Sequence, residues 1–252
     1  MTLLNIVGGD YEFENIKLHN PSIAEISEKI NEENNFLFAL KILSSSLLER
    51  IPNNIPFTEI TNFDVFLGLI LGSKTLIDNN IISKAQFYAI NDLLQLLFLD
   101  YKISLGKNEL IFSKDNNILI MNSNNFQLFQ EIIQKMFKTS SLFSNDSSNK
   151  NTYNPATDKA KQIAEKLKQS ELKVSQLKGN CLNYKTALIE NYIMIICVGL
   201  NLSPKQVSNL TLYQIITLFE RIRMKIEWDL DVDCRLAGGD PGDRPDNWMS
   251  IL

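Results

Sequence analysis

The residues able to do chemistry in this 252-residue chain are few and scattered. His19 is the sole histidine, and a serine or cysteine nucleophile would need it as base. Nothing near it in sequence completes a triad. It stands beside Asn20-Pro21 at the end of a predicted strand, so a structural role is expected. Cys181, Cys197 and Cys234 are too far apart for zinc-ligand spacing, and three thiols cannot all pair. The acidic run Asp229, Asp231, Asp233 with Asp240, Asp243 and Asp246 is the only set that could hold a hard cation. A calcium loop alternates its oxygen ligands, turns on a glycine and closes on a glutamate. Here the closing glutamate is missing and the first three aspartates fall near a helix end, so a solvated face is expected. The glycine pairs in Val7-Gly8-Gly9-Asp10 and Ala237-Gly238-Gly239-Asp240 lack the strand, helix and following lysine of a phosphate loop. Both read as turns or helix stops. The expectation is no enzyme: no catalytic residue, no metal and no cofactor.

Three residue sets point to binding instead. Lys159, Lys161, Lys166, Lys168, Lys173 and Lys178 make one predicted helix basic, offset by Asp158, Glu165 and Glu171. No aromatics interleave to stack on bases, so a protein docking surface or solvated face is favoured over nucleic acid. Arg221, Arg223 and Trp228 lie on the exposed side of a long helix near the end of the chain. Trp248 and Met249 close a Gly/Pro-broken tail, GGDPGDRPDNWMSIL, which either folds back on the core or offers an anchor to a partner. Aromatic and arginine anchors carry more binding energy than their area suggests. The expected partner-binding set is therefore Arg221, Arg223, Trp228, Trp248, Met249, Lys161 and Lys168. A DNA-reading helix-turn-helix over Leu202–Arg223 is disfavoured, because its turn lacks a glycine. In addition, Leu212 and Tyr213 occupy the first turn where base readers would sit.

These side chains must be positioned mostly by helices. Thr211 and Gln214 form a capping box, after which Leu212, Ile215, Ile216, Phe219, Ile222 and Ile226 recur every three or four residues. Glu220, Arg221, Arg223, Lys225 and Glu227 line the other face, and Gly238-Gly239 with Pro241 ends the helix. Further capping boxes stand at Ser22/Glu25, Ser83/Gln86 and Ser203/Gln206, the last with Pro204 at the first helical position. Helices are also expected at Phe36–Arg50, at Phe63–Leu71 entered at Asn62, from Asn124 or Asn125 to Lys138, at Asp158–Lys178 and at Tyr184–Gly199. The last is strongly apolar and is expected at the centre of a second domain. Tyr11–Leu18 reads as a strand. Tyr101–Leu105, Glu109–Ser113 and Asn117–Met121, separated by turn residues, read as a small antiparallel meander. The fold class is thus α+β and mainly helical, with an α+β region over 1–140, a Ser/Asn-rich linker over 141–157 and an all-α unit over 158–252.

The net charge of −4 argues against broad nucleic-acid binding. The start, MTLLNIVGGDYEFE, lacks the basic residues and apolar centre of a signal peptide, and the longest apolar run, Tyr192–Leu200, is too short to span a bilayer. A soluble protein with reduced cysteines, away from membranes, is expected.

Several stretches together resemble a known group. They are the strand leading into Pro21-Ser22-Ile23-Ala24-Glu25-Ile26, Asn124-Asn125-Phe126 opening a helix after a small sheet, Asn154-Pro155 before the basic helix, and the ending LTLYQI…FERI…WDLD…LAGGD…NWM. The chain is similar to proteins encoded in structural gene clusters of phages and phage-tail-like elements of Gram-positive bacteria, described as tail assembly chaperone-like. The similarity covers nearly the whole chain and is specific in the last fifty residues. It implies a non-enzymatic helical protein that binds the tape measure protein, the tail tube protein or both during virion morphogenesis, in the cytoplasm of the bacterial host. Two alternatives are a structural component of the tail or baseplate in the virion, and a phage-encoded nucleic-acid-binding regulator. Self-association into a homo-oligomer is left open. The α+β N-terminal region departs from small members of that group.

Overall fold

A pair of short strands, β1 (Tyr11–Phe13) and β2 (Ile16–Leu18), leads the computed structural model, which describes residues 7–46, 60–79, 81–143, 188–238 and 249. The single strand expected over Tyr11–Leu18 is a hairpin, folded where Glu14 takes a left-handed φ of 51°. The turn explains the imperfect alternation: Tyr11, Phe13, Ile16 and Leu18 all face the core, with two turn residues between the halves.

Five helices follow: α1 (Ile23–Lys29), α2 (Glu33–Ser44), α3 (Asn62–Leu71), α4 (Ser73–Asp78) and α5 (Lys84–Leu97). The boxes at Ser22/Glu25 and Ser83/Gln86 form as expected. α2 begins at Glu33, ahead of the expected Phe36, and stops at Ser44 because Ser45 turns extended; Leu47 to Arg50 lie outside the described residues. The cap of α3 is Thr61, boxed with Asp64, where the sequence suggested Asn62. α5 buries Ala89, Ile90, Leu93, Leu94, Leu96 and Leu97, whereas Phe87, expected on that face, is half-buried against Tyr88.

Strands β3 (Lys102–Leu105), β4 (Leu110–Lys114) and β5 (Asn117–Met121) form the antiparallel meander in the order β3-β4-β5. Ile103, Phe112 and Leu119 stand in register across it. Leu110, Phe112, Leu119 and Met121 point inward, while Ile118 and Ile120 point outward. Helix α6 (Phe126–Phe137) lays Phe126, Phe129, Ile132, Ile133, Met136 and Phe137 on the core. Phenylalanine rings tie these elements together: Phe98 stacks on Phe112 at 3.9 Å between centroids and on Phe129 at 5.8 Å, Phe129 meets Phe13 at 5.6 Å, and Phe66 stacks on Phe126 at 5.0 Å. Each such pair adds about 0.5–1.5 kcal/mol beyond area burial.

A short helix α7 (Thr139–Phe143) takes up the first residues of the expected linker; residues 144–187, with the predicted Asp158–Lys178 helix and Cys181, lie outside the described residues. The C-terminal helices are α8 (Leu188–Leu200), α9 (Pro204–Ser208) and α10 (Leu212–Leu236). Ile189, Leu212 and Ile216 belong to the same core as α1–α6, and Ile196, Val207 and Ile215 form a smaller cluster of their own. The protein is α+β and mainly helical, with a C-terminal helical unit. Along α8, Ile189 and Ile196 are buried, and Tyr192, Ile193 and Cys197 pack in the C-terminal cluster. Met194, Ile195, Val198 and Leu200 are exposed.

Candidate functional site

The base of α10 is fixed at several points. Thr211 accepts from the Gln214 N–H while the Gln214 side chain accepts from the Thr211 N–H. Thr211 also bridges Ser22, the cap of α1, and the Ile23 N–H donates to the Leu210 carbonyl at 3.0 Å, so two helix starts are joined backbone to backbone. Gly8, with a left-handed φ of 70°, passes close to this joint, where a Cβ would sit 3.1 Å from the Thr211 methyl. Lys138 ends α6 in the left-handed region, pairs with Glu220 on α10 and lies 5.6 Å from the centre of the Tyr213 ring. On α8, Glu33 accepts from the Ile189 N–H at 2.9 Å and the Glu190 N–H at 3.3 Å, placing a carboxylate from α2 at the positive start of that helix. Tyr192 of α8 stacks on Phe219 of α10 at 4.1 Å.

Beyond this base the apolar stripe of α10 leaves the core. Leu212, Ile215 and Ile216 are buried, Phe219 and Ile222 are half-buried, and Ile226 is 52% exposed, so the expected inward stripe holds only over the first three turns. Leu230 and Leu236 are exposed to 63% and 81%. Of the expected contact residues, Arg221 and Trp228 are half-buried and Arg223 is exposed. Seven residues separate Arg221 from Trp228, which puts them on one face about two turns apart, with Met224 between. Arg223 lies about 200° around the axis from Arg221, so it does not join that face. It faces Glu227 at 3.7 Å, and Lys225 pairs with Asp229 at 2.8 Å. Met249 is exposed; Trp248, Lys161 and Lys168 lie outside the described residues.

Several of the residues weighed for chemistry have structural partners. His19 sits between Asp10, 3.2 Å from Nδ1, and Glu25, 3.0 Å from Nε2. Burial pushes the Glu25 carboxyl up, but hydrogen bonds from the Ser22 N–H and hydroxyl, and the contact with His19, bring it below its ordinary value. Burial, with Tyr213 nearby, holds the Tyr11 phenol up at about 12. Asp231 is buried and meets Arg235 Nε at 3.0 and 3.2 Å, which fits a paired carboxylate better than an open ligand. Asp240, Asp243 and Asp246 lie outside the described residues, and among the described ones no cluster of three or more His, Cys, Asp or Glu could hold a metal. Cys197 and Cys234 are free thiols, both half-buried. A cavity of about 750 Å³ beside the base of α10 is lined by Ser44, Glu131, Gln134, Lys135, Lys138 and Tyr213, with no nucleophile–base pair among them. Glu33 and the Lys138–Glu220 pair were not singled out from sequence, since nothing local marks partners 156 and 82 residues apart.

Among the described residues no helix is long and apolar enough to cross a membrane. No curated protein and no solved structure matches the chain. Residues 182–252, which include α8, α9 and α10, match the family described as the YomV second domain, of a Bacillus phage-type protein, and this similarity associates the chain with phage.

Proposed function

We propose that the protein is a non-enzymatic binding factor in phage tail assembly, gripping the tape measure protein, the tail tube protein or both through the Arg221–Met224–Trp228 face of α10. One observation supports the reading: within the region similar to a phage-associated domain, a helix fixed at its base carries an arginine and an indole, both half-buried, on one face. Tryptophan and arginine are the side chains most often found dominating interfaces. Such a factor would act in the host cytoplasm without a cofactor.

Co-expression of the full chain with the tape measure and tail tube proteins of the same phage, followed by co-purification, tests the idea. The wild type should retain at least one of them. The double variant Arg221→Glu/Trp228→Ala should lose it with an unchanged far-ultraviolet circular dichroism spectrum. Failure of the wild type to retain either protein, or full retention by the variant, refutes the proposal. Stoichiometric amounts of the chain in purified particles would instead favour the structural-subunit alternative.

A further inference from the structure

We infer that the distal half of α10 binds a second copy of this chain, antiparallel, about a two-fold axis at Ile226. This goes beyond the reading above and uses the opposite side of the helix from Arg221 and Trp228.

Ile222, Ile226 and Leu230 follow at four-residue steps and form one ridge, half-buried at Ile222 and exposed at the other two. Val198 and Leu200, exposed on either side of Gly199, extend the apolar surface at one end, because Gly199 abuts Ile222. The ridge is its own complement. With Ile226 on the axis, Ile222 of one copy faces Leu230 of the other, and the reverse. Helices crossing at about 20° keep such ridges alongside each other over this length.

The charges beside the ridge select the occupant. Arg223 and Glu227 flank it on one side, Lys225 and Asp229 on the other, so each side reads basic, then acidic, along the chain. An antiparallel two-fold puts each side against the same side of the other copy. Arg223 then meets Glu227 of the second copy, and Lys225 meets its Asp229, each with an axial offset of about 3 Å that a long side chain spans. Parallel pairing would instead set Arg223 beside Lys225 and Glu227 beside Asp229 of the second copy, like against like at the same offset. The four-residue ion pairs seen within the helix are exposed and individually weak, so exchanging them for pairs between copies costs little. A self-pairing of this kind is isologous and closes at two copies.

The test is sedimentation equilibrium of the full chain over a concentration series. The wild type should form dimers, and Ile226→Asp, at an exposed position, should raise the dimer dissociation constant roughly thirtyfold or more. Arg223→Glu/Lys225→Glu leaves all four flanking residues acidic, and Glu227→Lys/Asp229→Lys leaves all four basic. Each variant alone should be monomeric, and an equimolar mixture should dimerise. A wild type that remains monomeric at millimolar concentration, a dimer untouched by Ile226→Asp, or a mixture that stays monomeric overturns the inference. Co-purification of the tail proteins by Ile226→Asp would leave the proposed function standing whatever the outcome here.

Discussion

Replacing Glu33 by alanine should loosen the start of α8. The carboxylate lies at the first turn of α2, yet it accepts hydrogen bonds from the Ile189 and Glu190 N–H groups at 2.9 and 3.3 Å. Loss of a side-chain cap costs about 1 kcal/mol, and removing a negative charge from a helix N-terminus adds about 0.3–1 kcal/mol. Together these come to about 1.5 kcal/mol, or roughly a tenfold fall in amide protection at the capped positions. If α8 opens only with the whole fold, a chain of this size should lose about 3–6 °C in Tm. Glu33→Gln keeps one acceptor oxygen and should lose less than half as much. Hydrogen exchange of the Ile189 and Glu190 amides, beside urea unfolding at neutral pH, reads both quantities. Glu32→Ala is the control, since Glu32 makes no side-chain cap bond to its own helix. Unchanged exchange at Ile189 and Glu190 in Glu33→Ala would show that the carboxylate does not hold the two regions together.

Phe98→Ala removes a fully buried ring stacked on Phe112 and Phe129 and should cost about 3–5 kcal/mol, measured by urea unfolding. Glu25 is held below its ordinary pKa of 4.5, so its contribution to stability is present above that value and is lost as pH falls through the lower folded value. Glu25→Gln should flatten the difference in urea midpoint between neutral and strongly acid pH. Tyr11 has the opposite sign. Its folded value of about 12 lies above the ordinary 10.0, so the linked stability is present below 10.0 and lost as pH rises towards 12. A phenolate absorbance titration should show a late-titrating component that Tyr11→Phe removes.

Local chemistry carried most of the helix starts. Ser22, Ser83, Ser203 and Thr211 each have a glutamate or glutamine three residues on, and all four boxes form. Thr61 escaped because its partner is the shorter Asp64, which closes the same box. The hairpin at Glu14 escaped because neither turn residue is a glycine, and the left-handed conformation falls on a glutamate. Periodicity placed the α6 face and the meander, but it does not report which apolar face is covered: Ile215 and Ile226 follow one stripe, yet one is buried and the other exposed. The separation of Arg223 from Arg221 and Trp228 was legible from helical spacing alone. The Glu33 cap, the Lys138–Glu220 pair and the Ser22–Thr211 bridge depend on tertiary docking, which no short window of sequence encodes.

The joint between Ser22 and Thr211 makes α10 a lever with its fulcrum near one end. At 1.5 Å per residue, Leu236 stands about 36 Å from Leu212. A load at the far tip therefore acts with a long moment arm on the Ser22–Thr211 bridge, the Ile23–Leu210 hydrogen bond, the Lys138–Glu220 strut and the stack of Tyr192 on Phe219. Torque delivered there passes directly into α1 and the end of α6, so whatever the tip holds is mechanically connected to the phenylalanine core.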